Sequence, residues 1–328
     1  MTKILVTGGL GFIGHHIVSK LEKIGHTVIL VDSQTNYGII PKHEVDYLIK
    51  ERKKIITTPF CYKFDICEQK NMEWLFASQK FDIVIHMASF PRQKVVNKHP
   101  TRGSRTMSEG LLNLLELSKY NNVKKFVYIS SSMVYGNFTN NTNEDYICNP
   151  EGQYGILKLA GEWLVKDYAR KGHFNYTIIR PSAVYGPLDV TDRVLSQFFL
   201  QAMHDQILYV NGIHEELDFT YVDDVANGIV SASLSDNTFN KTYNITKSHS
   251  RSLLDAAELA VKIVGKGSIE VRDKDIDFPS RGALNINAAR QDFGYDPQVD
   301  VEEGFEIYYR WLIDSPFWTE KTKQESQG

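Results

Sequence analysis

The chain has 328 residues, 42% of them apolar and 12% aromatic, enough for one large or two moderate cores and too apolar for a disordered or fibrous chain. Its 37 basic against 40 acidic residues leave a net charge of −3, which gives no reason to expect nucleic acid or an anionic membrane as main partner. Cys61, Cys67 and Cys148 form neither a C-x-x-C pair nor an even set, so they read as reduced structural thiols with no metal role.

Met1 to Gly9 holds only a brief apolar run before glycines break it, too short for a signal peptide core or a membrane span. No other segment qualifies, and the cytoplasm is the expected location. A first strand, Ile4 to Thr7, runs into Gly8-x-x-Gly11-x-x-Gly14, and a helical pattern covers Phe12 to Ile24. Glycines there permit a tight turn and bring backbone amides, with Phe12 and Ile13 beside them, to a pyrophosphate at the positive helix N-terminus. The second strand, Thr27 to Val31, ends at Asp32, placed to accept hydrogen bonds from an adenosine ribose. A carboxylate there repels a 2′-phosphate, so NAD is favoured over NADP.

Ser33 to Lys54 is long for a connection, and its charged helical stretch, His43 to Lys54, either folds over the ligand or forms a surface insertion. Phe64-Asp65-Ile66 follows the third strand, setting Asp65 and Ile66 at an adenine edge or in a solvated turn. After a helix over Glu68 to Ser78 and a strand over Asp82 to His86, Met87, Ala88 and Ser89 supply small groups where a cofactor would cross the sheet. His86 reads as structural. The basic run Arg92, Lys94, Lys98, Arg102 and Arg105 is either a solvated face or a source of cations for an anionic substrate.

A helix from Arg105 to Tyr120 precedes the strand Lys125 to Ser130, which is followed by Ser131, Ser132 and Met133. The helix Tyr154 to Lys171 and the strand Tyr176 to Arg180 complete the alternation. Consecutively apolar strands alternating with helices predict an α/β fold, a doubly wound parallel sheet of the Rossmann type that binds ligands at its carboxyl edge. Past Pro181 the elements shorten between Pro187, Asn211-Gly212, Pro279 and Pro297, which predicts a smaller mixed lobe. The expected division is 1–180 with 219–246 for the cofactor, 181–218 with 247–320 for the substrate, and a frayed tail over 321–328.

Tyr154 and Lys158 lie one helical turn apart, which sets a phenol beside an ammonium. A fixed cation favours the phenolate, so the pair suits a general base. The serines ending the fifth strand emerge at the same sheet edge as the proposed cofactor. Tyr154 would take the proton of an alcohol, Lys158 would lower its pKa and hold the nicotinamide ribose, and a serine would bridge to the substrate oxygen.

At this point the chain resembles the extended short-chain dehydrogenase/reductase superfamily, in its NAD-dependent nucleotide-sugar epimerase/dehydratase branch, and is UDP-glucose 4-epimerase-like. The resemblance spans residues 3 to 312 through TGGLGFIG, Asp32, FDI, IHMAS, SSSMVYG, YGILK, RPSAVYGP, DFTYVDDV and FGYDP. It implies a catalytic hydroxyl three residues before Val134, hence Ser131, with Ser132 as fallback. It also implies a cofactor site including Ser130 and Pro181. The reaction it implies is NAD-linked oxidation of a nucleotide-sugar hydroxyl, usually at carbon 4, to a ketone.

Dehydratases of the family need an acid just before V-Y-G. Ser132 and Met133 stand there, which favours 4-epimerisation, with 4-dehydrogenation as the alternative and a non-catalytic NAD-binding regulator as a lesser one. A dehydrogenase of a simpler hydroxy compound also stays open. Ala183, Leu217 and Met107 replace residues that commonly contact substrate in the family, the first two at its diphosphate. Arg281 is then the leading diphosphate donor, followed by Arg193. The resemblance also implies a homodimer through the helices Arg105 to Tyr120 and Tyr154 to Lys171, where Leu111, Leu114, Leu115, Leu159, Trp163 and Leu164 suit an interface or an internal core equally.

Overall fold

In the computed structural model, which describes residues 1–315, seven strands join one parallel sheet. They are β1 (Lys3–Thr7), β2 (Thr27–Val31), β3 (Cys61–Tyr62), β4 (Ile83–His86), β5 (Lys125–Ile129), β6 (Asn175–Pro181) and, late in the chain, β11 (Lys241–Ile245). Their spatial order is β11-β6-β5-β4-β1-β2-β3, so the order reverses at β1, where Thr7 lies between Val31 and His86. Ligands bind at such a reversal, because the loops leaving the two neighbouring strands part there.

The helices are α1 (Gly14–Lys23), α2 (Lys42–Ile55), α3 (Gln69–Ser78), α4 (Gln93–Lys98), α5 (Pro100–Ser104), α6 (Leu111–Tyr120), α7 (Gly152–Arg170), α8 (Val194–Met203), α9 (Val222–Leu234), α10 (Leu253–Val264), α11 (Asn287–Phe293) and α12 (Val301–Asp314). One face of the sheet packs Ile4, Val6 and Ile85 against α1 and α9. The other packs Leu5, Val84 and Phe126 against α3, α6 and the far half of α7. Strands covered on both sides explain the unbroken apolar runs of the sequence. The smaller lobe has its own aromatic core, with Phe198, Phe199, Phe305 and Tyr308 packed together. Short pairs carry it: β7 (Val184–Tyr185) with β10 (Thr220–Tyr221), β8 (Ile207–Asn211) with β13 (Ser268–Arg272), and β9 (Glu216–Leu217) with β12 (Arg251–Ser252).

One sequence expectation needs amendment and one open alternative is decided. Arg105 to Tyr120 is not one α-helix: its first six residues form a π turn, Arg105–Gly110, with Gly110 so close to Ile66 that an added Cβ would fall 2.5 Å from that side chain. Leu111, Leu114 and Leu115 are fully buried against the sheet and Leu159 is also internal, so they serve the core. The 321–328 tail and residues 316–320 of the second lobe lie outside the described residues. Among the described residues no helix is long and apolar enough to cross a membrane, and no group of three His, Cys, Asp or Glu side chains could hold a metal.

Candidate active site

Two cavities meet at the carboxyl edge of the sheet. The first, of 470 Å³, runs from Gly8, Gly11, Phe12, Ile13 and Gly14 past Asp32, Asp65 and Ile66, across Met87, Ala88 and Ser89, to Lys158 and Pro181. The second, of 390 Å³, opens toward the smaller lobe and is lined by Ser131, Ser132, Ala183, Leu217 and Arg281. Both volumes lie in the range of small-molecule sites. Ser130, Tyr154 and Arg193 line both cavities, whereas Lys158 lines only the first and Ser131 only the second. Tyr154 therefore stands at the junction, with its ammonium neighbour on one side and its hydroxyl neighbour on the other.

The first cavity fits a dinucleotide. Gly8 has φ +72°, and a Cβ on it would sit 2.8 Å from the Ala88 nitrogen, while one on Gly14 would sit 2.3 Å from the Gly8 carbonyl. Only glycine lets the loop lie this close to β4 and to itself. The first turn of α1 has no side-chain cap and no acidic residue, so its free amides and positive end face the cavity. Asp32 accepts from the Leu10 amide at 2.9 Å and the Gln34 amide at 2.7 Å, which fixes its carboxylate at the rim. Burial raises its pKa, against the lowering effect of those bonds. Asp65 both lines the cavity and closes its own turn by accepting from the Cys67 amide at 2.9 Å.

Tyr154 projects from the start of α7 into a small apolar cluster with Phe90, Val95, Val96, Met107 and Met133. Burial raises its pKa, while a side-chain hydrogen bond with Ser131 and the charge of Arg193 lower it. Lys158 donates to the Ile129 carbonyl at 2.8 Å, and its nitrogen lies 5.8 Å from the centre of the Tyr154 ring. Burial pushes this ammonium down to about 7, with Glu162 opposing. Burial is thus the leading influence on both groups, raising the phenol and lowering the ammonium.

The remaining predicted groups divide. Ser131 caps the 3₁₀ turn Ser132–Tyr135, accepting from the Met133 amide at 3.2 Å, and keeps its hydroxyl at the substrate side. Ser132 donates to Ser182 at 3.1 Å. Ser130 lines both cavities, and its hydroxyl donates to Glu162 at 2.6 Å. Glu162 is fully buried and held by Arg180 through bonds of 2.9 and 2.7 Å. Arg193 lies 3.5 Å from Asp189, and Arg281 is pushed down to about 10 by burial, with Glu215 opposing. Ala183 has φ +35°, a left-handed value that asparagine accepts better than alanine. His86 is buried, bonds Thr7 at 2.8 Å and is pushed down to about 3 by desolvation, so it is a neutral structural group.

The segment left open in the sequence, His43 to Lys54, covers the first cavity with Val45, Leu48, Ile49 and Arg52. Its buried Glu44 and Arg52 were missed by sequence reasoning, although Glu44, Leu48 and Arg52 recur every fourth residue on one helix face. Arg92, paired with Asp192, was read only as one of a run; it lines both cavities.

The sequence pattern of the NAD dependent epimerase/dehydratase family matches residues 4–246. The chain belongs to that family. It is 29% identical to the uncharacterized UDP-glucose epimerase YtcB of Bacillus subtilis (strain 168), over 94% of this chain and 97% of that protein. Its fold is similar to that of UDP-glucuronic acid 4-epimerase from Bacillus cereus, solved with UDP-glucuronic acid and NAD: TM-score 0.85, 28% identity, 94% of this chain and 98% of the other. The UDP-glucose 4-epimerase of Thermotoga maritima, solved with UDP-glucose, gives TM-score 0.83 at 27% identity, covering 98% and 99%. As a member of the NAD-dependent epimerase/dehydratase family the chain is an extended short-chain dehydrogenase/reductase enzyme, and NAD is its cofactor.

Proposed function

We propose that the protein is a nucleotide-sugar 4-epimerase working through a transient 4-keto sugar, with Tyr154 as base. The observation that carries this reading is the position of Tyr154 at the junction of the two cavities, between Lys158 and Ser131. When bound, NAD would supply the reversible two-electron oxidant for the sugar carbon, taking up the carbon-4 hydride and returning it. Tyr154 takes the proton of the carbon-4 hydroxyl while Ser131 donates to the same oxygen, and the proton returns after the ketone has turned its other face. Lys158 supports the phenolate and the cofactor ribose. Ser132 and Met133, beside the reacting groups, carry no acid to drive loss of water.

The substrates of the relatives, UDP-glucose and UDP-glucuronic acid, make a UDP-sugar the proposed substrate. Arg281 is proposed as its diphosphate donor, with Arg193 nearer the sugar, in place of the contacts that Ala183 and Leu217 do not make. The proposed division assigns 1–180 with 219–246 to the cofactor, and 181–218 with 247–315 of the described residues to the substrate. Incubation with each UDP-sugar should give its carbon-4 epimer at equilibrium. Accumulation of a stoichiometric keto-sugar would select the dehydrogenase reading instead.

The proposal includes a homodimer through α6 and α7. Trp163, 64% exposed, and Ile156, 51% exposed, are the apolar groups left outward on α7, joined by Leu112 and Tyr120 on α6. Sedimentation at micromolar concentration should give twice the chain mass, 75 kDa against 37.5 kDa for a monomer; a monomer would contradict it.

A further inference from the structure

Arg52, on α2, is almost fully buried and bridges the glycine-rich loop to the segment that begins at Leu188. One guanidinium nitrogen donates to the Leu10 carbonyl of the glycine-rich loop at 3.0 Å, and another donates to the Leu188 carbonyl of the smaller lobe at 2.7 Å. Leu10 is also the residue whose amide holds Asp32. The charges facing Arg52 are Asp189, Asp32 and Glu44, so one cation sits among three carboxylates, one of them from its own helix. Two turns earlier on the same helix face, the buried Glu44 accepts from the Thr191 amide at 2.9 Å and the Thr191 hydroxyl at 2.7 Å.

The segment so held is unusual in its backbone. Leu188 has φ +67°, a left-handed value that a leucine adopts only under outside constraint, and its carbonyl is the one Arg52 binds. The segment continues through Asp189 and Asp192 to Arg193, whose charge reaches the Tyr154 phenol. A continuous set of bonds thus runs from Asp32 through Leu10, Arg52 and Leu188 toward Arg193.

We propose that Arg52 is a positioning residue that couples occupation of the adenosine end of the cofactor cavity to the placement of residues 188–193 at the substrate side. This rests on NAD binding along Gly8, Gly14 and Asp32 and deepens the functional reading, but it needs no turnover to be tested. A ligand that fixes Asp32 and Leu10 fixes the carbonyl that Arg52 holds. The other arm of the same planar group then loses freedom at Leu188. By reciprocity, a partner that orders 188–193 tightens NAD.

The test is amide hydrogen exchange of residues 188–193, without ligand and with saturating NAD, in the wild-type chain, Arg52→Met and Arg52→Lys. NAD should slow exchange there roughly tenfold in the wild type, within the usual span of coupling between sites. In Arg52→Met the slowing should disappear, and exchange without ligand should rise by a similar factor. Arg52→Lys keeps the charge but reaches one carbonyl at a time, so at least a threefold reduction in the slowing is expected, on the order of half the coupling. If Arg52→Met does not fold, Arg52→Lys decides alone. Slowing by NAD that is absent in the wild type, or unchanged in either variant, would overturn the proposal. Loss of epimerisation with this coupling intact would strike the proposed reaction and leave Arg52 in its role.

Discussion

Tyr154→Phe should lower kcat by about 10²- to 10⁴-fold, the usual worth of a positioned acid–base group, while the protein keeps its fold and its NAD. The ring sits among Phe90, Val95, Val96, Met107 and Met133, and phenylalanine fills the same space. What is lost is the phenol hydroxyl at the junction of the cavities, which bonds Ser131. KM for the UDP-sugar should change much less than kcat, because the proton transfer is made in the transition state. Steady-state kinetics with NAD titration in parallel checks this. Activity within tenfold of wild type would remove Tyr154 from the reaction.

Lys158→Met should abolish turnover to a similar extent and, against the usual direction for a buried substitution, raise stability at low pH. The Lys158 ammonium is held at about 7 in the fold, while the same group in the unfolded chain titrates near 10.5. Between these values the unfolded chain binds more protons than the folded one, so stability rises with pH across this window. Below pH 7 the fold carries the full cost of a desolvated charge, on the order of 5 kcal/mol at about 1.4 per unit. Methionine removes that cost and also the 2.8 Å bond to Ile129, worth about 1–2 kcal/mol. A net gain on the order of 3 kcal/mol is expected at pH 6, fading by pH 10. Thermal unfolding of the NAD-free proteins across that range measures it. A destabilised variant at pH 6 would mean that the cation is better solvated than its burial implies.

That second expectation also shows where the sequence stopped being readable. Tyr154 and Lys158 were legible as a pair because helix periodicity fixes their spacing, and Ser131 because it follows an apolar strand. Asp32 and the three glycines were legible by position at strand ends. The sign of the electrostatics was not, because desolvation depends on which side chains close over Lys158 from other elements. Arg52 and Glu44 looked like part of a charged surface helix, since their partners Leu188 and Thr191 lie more than a hundred residues later. The bond from the Ser130 hydroxyl to Glu162 was indicated by no spacing rule. The apolar positions of α6 satisfied the core before any interface, leaving Trp163 and Ile156 outward instead.

The central claim is that one site makes and unmakes a ketone at carbon 4 without eliminating water. The most direct test is incubation of the protein with a UDP-sugar deuterated at carbon 4, in ordinary water, with both epimers analysed at equilibrium. The account predicts interconversion of the two epimers with the label retained at carbon 4. Loss of the label, or a product lacking the elements of water, would contradict it.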